Sequence, residues 1–219
     1  LTHSLTYLLT YLLKVGFCDA YGLKESTGAS FVVDLKDKEQ IRSRRSFTLF
    51  AGVMRANSTL TALTLSSVQP EHIDVLAEAL ATNMTLEKLV IEQPSKSAET
   101  QISSLPVQQL NGHKHVDLID LSKAGLELPD GTHQPCHRHA CAVVGAILGT
   151  SANSSTSRLK MDPGGGPEGG MIVEHLHRAR KSSLGVLDVS GVGLGERGGV
   201  KFFETLVEGK CDFIHSLTY

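Results

Sequence analysis

The sequence predicts an α/β solenoid built from successive strand–turn–helix units. Three observations predict it. A phrase of Asn, an apolar residue and LxxLxL recurs as NSTLTALTL from Asn57, NMTLEKLVI from Asn83, NSSTSRLKM from Asn153 and SSLGVLDVS from Ser182. A looser copy, HVDLIDLS, begins at His115, and half of another, FIHSLTY, begins at Phe213. The first core positions are Leu60, Leu86, Val116, Thr156, Leu184 and Ile214, giving steps of 26, 30, 40, 28 and 30 residues. A period in this range marks a repeat whose units bury their apolar faces only by stacking. Lastly, a helical pattern follows each phrase, which makes a surface for binding the expectation rather than a pocket for chemistry.

In chain order, residues 1–13 (LTHSLTYLLTYLL) form a low-complexity tract with a four-residue period. A translated simple nucleotide repeat accounts for it, and we expect no native structure there. The rival reading is a leader or anchor. It lacks a basic start, and its apolar run is shorter than the ~20 residues that span a bilayer. Residues 14–46 read as an irregular transition with a candidate strand at FVVDL from Phe31 and a solvated charge run, KDKEQIRSRRS. FTLFAGVMRAN from Phe47 reads as a helix ahead of the first clear strand.

From 47 to 219 the pattern gives about five and a half repeats, with an insertion near 127–139. PEHIDVLAEALATN places Ile73, Leu76, Ala77 and Leu80 at helical spacing. GERGGVKFFETLVEGK does the same with Val200, Phe203, Leu206 and Val207, and HACAVVGAILGTSAN and GGMIVEHLHRARKSS supply the helices between. The stretch Glu92–Gly112 has only a weak helical pattern. Each Asn that precedes a strand stands where a helix stops, and Asn tolerates the left-handed conformation common there.

These residues resemble a leucine-rich repeat array of the ribonuclease-inhibitor type, from Phe47 to Tyr219 and most closely in Asn57–Ile91 and Ser182–Lys210. The resemblance implies a horseshoe-shaped leucine-rich repeat solenoid, with a parallel concave sheet and convex helices. It also implies a fragment of a longer array, since no polar cap follows Tyr219. The family usually carries Asn or Cys three residues after the last Leu of the phrase. Here Val68, Pro94, Ala124, Gly164 and Val192 stand there, so we expect no ladder of side-chain amides and only modest stability.

A chain of 219 residues, 41% hydrophobic and 20% charged, is long enough for one core. A net charge of −2 and an aromatic content of 5% with no Trp argue against nucleic acid and anionic membrane as partners. Four cysteines, Cys18, Cys136, Cys141 and Cys211, are few for a secreted protein of this size, which favours a cytoplasmic setting.

Several motifs imitate chemistry. Gly193, Gly195 and Gly198 form GxGxxG between a strand and a helix, the context of a dinucleotide site. The repeat explains that order without a ligand, and no second strand with a terminal acid follows. GGGPEGG, Gly164–Gly170, lacks the Lys of a P-loop and reads as a turn. THQPCHRHAC gathers His133, Cys136, His137, His139 and Cys141, all of zinc-ligand type. Their spacing leaves little room for chelation, so the segment reads as a solvated loop. Asn57, Asn83 and Asn153 head N-x-S/T triplets that the repeat itself accounts for. We therefore assign no catalytic residue, no cofactor and no metal.

The expected function is a non-enzymatic scaffold that binds another protein. In LxxLxL the residue between the last two apolar positions, with its flanks, faces away from the core. Down the array the central residues are Thr64, Val90, Asp120, Lys160 and Asp188. The expected binding strip comprises Lys88, Val90, Glu92, Asp120, Arg158, Lys160, Asp162 and Asp188. Two alternatives stand beside it: a structural spacer within a larger protein, and a dinucleotide-binding enzyme fragment using the 193–198 glycine turn. The partner's identity and the oligomeric state are not written in these residues.

Overall fold

The computed structural model describes residues 24–26, 30–34, 44–66, 68–94, 100–128, 131, 133–150, 157–161, 171–172, 184–210 and 214–218. The tract 1–13, Asn153, Thr156, Asp162 and Gly164–Gly170 lie outside them. The candidate strand near Phe31 is present as β2 (Ser30–Asp34), preceded by β1 (Lys24–Ser26). Helix α1 (Arg44–Ala56) begins inside the charge run. It buries Phe47, Phe50, Ala51 and Met54, the i, i+3, i+4, i+7 face of an amphipathic helix.

β3 (Ala62–Ser66) follows, then a 3-10 turn with Pro70 at its start, and α2 (Ile73–Thr82). α2 buries Ile73, Leu76, Ala77, Ala79 and Leu80. β4 (Lys88–Pro94) pairs in parallel with β3, Leu63 opposite Leu89 and Leu65 opposite Ile91.

The horseshoe is not what the chain builds. Where the repeat frame calls for a helix, β5 (Thr100–Pro106) turns back antiparallel on β4, from Lys88↔Pro106 to Pro94↔Thr100. At the other edge, β1 pairs antiparallel with β2. The result is a five-stranded mixed sheet, ordered β1-β2-β3-β4-β5, with antiparallel pairs at both ends. A second sheet is separate and wholly parallel, ordered β11-β10-β9-β6. Its strands are β6 (Leu118–Asp120), β9 (Arg158–Lys160), β10 (Val186–Asp188) and β11 (Ser216–Thr218). The one continuous parallel sheet of a leucine-rich repeat solenoid is thus replaced by a mixed α/β fold with small sheets. The reason is local. TQISSLP buries Ser103 and Leu105 at alternate positions, the period of a strand, and its β-branched residues and closing proline disfavour a helix. The short α3 (Val107–Leu110) is all that remains of the expected helix.

The predicted core residues Leu63, Leu65, Leu89, Ile91, Ile119, Leu121, Leu159, Met161, Leu187 and Val189 are all buried, though divided between the two sheets. The 127–139 insertion forms a small antiparallel ribbon, β7 (Leu126–Glu127) with β8 (His133–Gln134). Gly125 is obligatory beside it, because a Cβ there would collide with the Gln134 carbonyl. α4 (Arg138–Thr150) is buried from Ala140 to Leu148 on every side, as expected of a helix apolar all round. It packs on α2 and belongs to the same core as both sheets.

A side-chain amide ladder does exist, one element earlier than the expected position. Asn83 Nδ2 donates to the carbonyls of Met54 (2.6 Å) and Asn57 (3.1 Å). Its Oδ1 accepts from the amides of Thr85 (2.9 Å) and Leu86 (2.7 Å). Asn111 repeats this, donating to Leu80 (2.9 Å) and Asn83 (3.0 Å). Met54 and Leu80 lie in the last turns of α1 and α2, whose carbonyls lack helical partners. Each Asn therefore caps the helix before the preceding strand. Asn83 is extended (φ −77, ψ 123), not left-handed, so hydrogen bonding rather than conformational tolerance selects it.

Candidate functional site

Of the residues expected to bind, the second sheet carries Asp120, Arg158, Lys160 and Asp188. β9 lies between β6 and β10, pairing Lys160 with Asp120 on one side and with Asp188 on the other. Neighbouring strands are about 5 Å apart, so the three charges form one short row across the outer face. Lys160 Nζ stands 3.9 Å from Asp120 Oδ2, with the two side chains 35% and 44% exposed. Arg158, exposed, lies two residues back on the same strand, opposite Leu118 and Val186.

The two aspartates are held in the same way. Asp120 Oδ1 accepts the Ser122 amide at 2.8 Å, and Asp188 Oδ1 accepts the Ser190 amide at 2.9 Å. Each strand thus ends in an Asp-x-Ser turn that fixes its carboxylate. Partial burial acts to raise the Asp120 pKa, but the Ser122 bonds, then Lys160 and Lys123, outweigh it and hold it below the usual value. For Asp188 the Ser190 bonds dominate, with Lys160 and Arg158 adding to the same lowering. Both are carboxylates at neutral pH, so the row reads minus, plus, minus.

The structure does not bring Lys88, Val90 and Glu92 into that row. They lie on β4, where Val90 faces Ser104 of β5 and Glu92 faces Ile102, so β5 separates them from the parallel sheet. Glu92 is engaged locally, accepting the Ser66 hydroxyl at 2.9 Å. Lys88 alone approaches the row. With Glu87, Pro106, Asp120 and Lys123 it lines a groove of about 480 Å³ at the seam between the sheets. The Asp-x-Ser turns were visible in the sequence as DLS and DVS at 120–122 and 188–190, but as flanking residues rather than as anchors.

The His/Cys segment is not a solvated loop. His137 is 4% exposed, and Cys136 and Cys141 are buried thiols. His137 Nδ1 accepts the Ala140 amide at 3.3 Å, capping α4, so Nε2 carries the proton and donates to the Ile91 carbonyl at 3.0 Å. Its own amide donates to Ser103 Oγ at 3.1 Å. Both ring nitrogens are committed to structure. After β10 positive φ falls on Gly191 (75°), ahead of the 193–198 turn, and not on a glycine of GxGxxG. Among the described residues no cluster of three metal-ligating side chains occurs, and no helix is long and apolar enough to cross a membrane. No family model matches the chain, and no curated protein matches it.

Proposed function

We propose that the protein is a non-enzymatic scaffold whose parallel four-stranded sheet binds a segment of another protein. The observation that carries this reading is the row Asp120–Lys160–Asp188 with Arg158 beside it, held on rigid strands. Fixed charges of alternating sign suit a partner segment of complementary pattern, setting specificity and register more than affinity. The seam groove extends the surface towards Lys88 and Lys123. Binding to nucleic acid or to an anionic membrane is disfavoured by the chain's net charge of −2. We place the protein in the cytoplasm, a reading supported by its four cysteines, few for a secreted chain of 219 residues.

Affinity capture with the intact chain, compared with Lys160→Glu and with the Asp120→Lys/Asp188→Lys pair, tests the proposal. A protein retained by the wild type and lost with both charge reversals supports it. Retention by all three removes the parallel sheet as the interface.

A further inference from the structure

Helix α5 (Gly195–Thr205), which continues as a π-helical turn Leu206–Lys210, has its apolar residues on two sides. Phe202 is buried, and Leu194 and Leu206 pack against the core. Of the four residues expected to face inward, Leu206 does and three do not: Val200 is 54% exposed, Phe203 51% and Val207 82%. They follow at i, i+3 and i+7, one continuous outer stripe. Among the described helices, α1 packs on α2 and α2 on α4, and none makes a comparable contact with α5. Large apolar side chains grouped in the open mark interaction sites.

The stripe lines a groove of about 590 Å³ together with Gly199, Glu196 and Glu204. A Cβ at Gly199 would meet nothing within 4 Å, so the helix surface dips there and a second backbone can come close. Both charged residues lining the groove are acidic. We propose that this groove docks an amphipathic helix of a partner protein, with apolar residues at three- and four-residue spacing and Lys or Arg along its flanks. A helix laid into an apolar groove is anchored at that spacing, and basic flanks match Glu196 and Glu204 in sign. A second copy of the chain fits less well, because a two-fold contact of this face would set acid against acid. An anionic lipid surface is repelled for the same reason.

The test uses fluorescence anisotropy of the intact chain with labelled amphipathic peptides of about 14 residues, enough for roughly four turns. One is built from Leu and Lys, the other from Leu and Glu. The Leu/Lys peptide should bind saturably and the Leu/Glu peptide should not. Phe203→Ser should weaken binding about tenfold, as loss of a central apolar anchor does. Glu196→Gln/Glu204→Gln should weaken it by a smaller factor, while Lys160→Glu on the other surface leaves it unchanged. Far-ultraviolet circular dichroism of Phe203→Ser checks that the exposed substitution leaves the fold intact. The proposal is overturned if the Leu/Lys peptide does not bind, if it binds Phe203→Ser as well as wild type, or if the Leu/Glu peptide binds equally. It is overturned in favour of self-association if light scattering finds a dimer that Phe203→Ser abolishes.

Discussion

The two sheets start from the same strand phrase and end differently. β3 and β4 sit in a sheet closed at each end by an antiparallel strand and laced from behind by Asn83 and Asn111. β6, β9, β10 and β11 form a sheet that is parallel throughout, and its outer face carries the fixed charges. The phrase decides which residues are buried. The segments between phrases decide what kind of sheet results. The side-chain amide bonds between elements lie in the first region, and the exposed alternating charges lie in the second.

The sharpest way to break this contrast is to cut the core on each side. Leu89 and Leu187 are both fully buried, so Leu→Ala at either should cost about 2–5 kcal/mol in urea denaturation. If the shared core makes the regions one cooperative unit, both variants shift a single transition. Two transitions, with Leu187→Ala moving only one, would mean that the parallel sheet unfolds on its own.

Next in size is the amide ladder. Asn83→Ala removes five hydrogen bonds at a buried site and should cost about 3 kcal/mol. Asn57 uses its side chain only to accept the amides of Thr59 and Leu60 in a partly exposed turn, so Asn57→Ala should cost about 1 kcal/mol. Equal losses at the two positions would refute the ladder as a particular support of the first region.

A comparable effect, confined to acid, belongs to His137. Burial, the largest influence, takes its pKa from the ordinary 6.5 to about 4; the bond to Ile91 opposes this and His139 reinforces it. The folded value lies below the unfolded one, so between them the unfolded chain binds the extra proton. Stability is therefore full above about pH 6.5 and falls by about 1.4 kcal/mol per pH unit as pH drops towards 4. His139 shifts the same way, through burial and then Arg138. His137→Asn should be less stable at neutral pH yet show a flatter decline between pH 6.5 and 4, read from denaturation midpoints.

The smallest effect on folding is expected at the Asp120–Lys160–Asp188 row. Lys160 and Asp120 form a partly exposed pair, worth about 0–1 kcal/mol, so Lys160→Glu should change stability by no more than that. A larger loss would make the row a structural device and leave the parallel sheet without a reason to be called a recognition surface.

Much of the local structure was legible in the sequence, because alternation in LxL states which side chains are buried and a 3.6-residue period states where α2 and α4 run. The global arrangement was not. TQISSLP carries no signal strong enough to announce a strand pairing backwards, yet that strand ends the first sheet. α5 offers Phe202 and Phe203 side by side, so either face could have turned inward, and packing chose Phe202. The row Asp120–Lys160–Asp188 was legible, since it needs only parallel register. Its expected extension through Val90 and Glu92 depended on the absence of β5. The role of His137 was hidden because the groups that bind it, Ile91 and Ser103, are remote in the chain.

That remoteness bears on the order of assembly. The bonds of His137 to Ile91 and Ser103 close separations of 46 and 34 residues, whereas β4 and β5 are consecutive strands joined by a short connection. Closing a long loop costs more chain entropy than closing a short one, so local pairing tends to come first. The β4–β5 hairpin is then the surface on which α4 lands late in folding, with His137 as its latch. A substitution at this latch should act mainly on the rate at which the native state opens and leave the rate of its formation nearly unchanged.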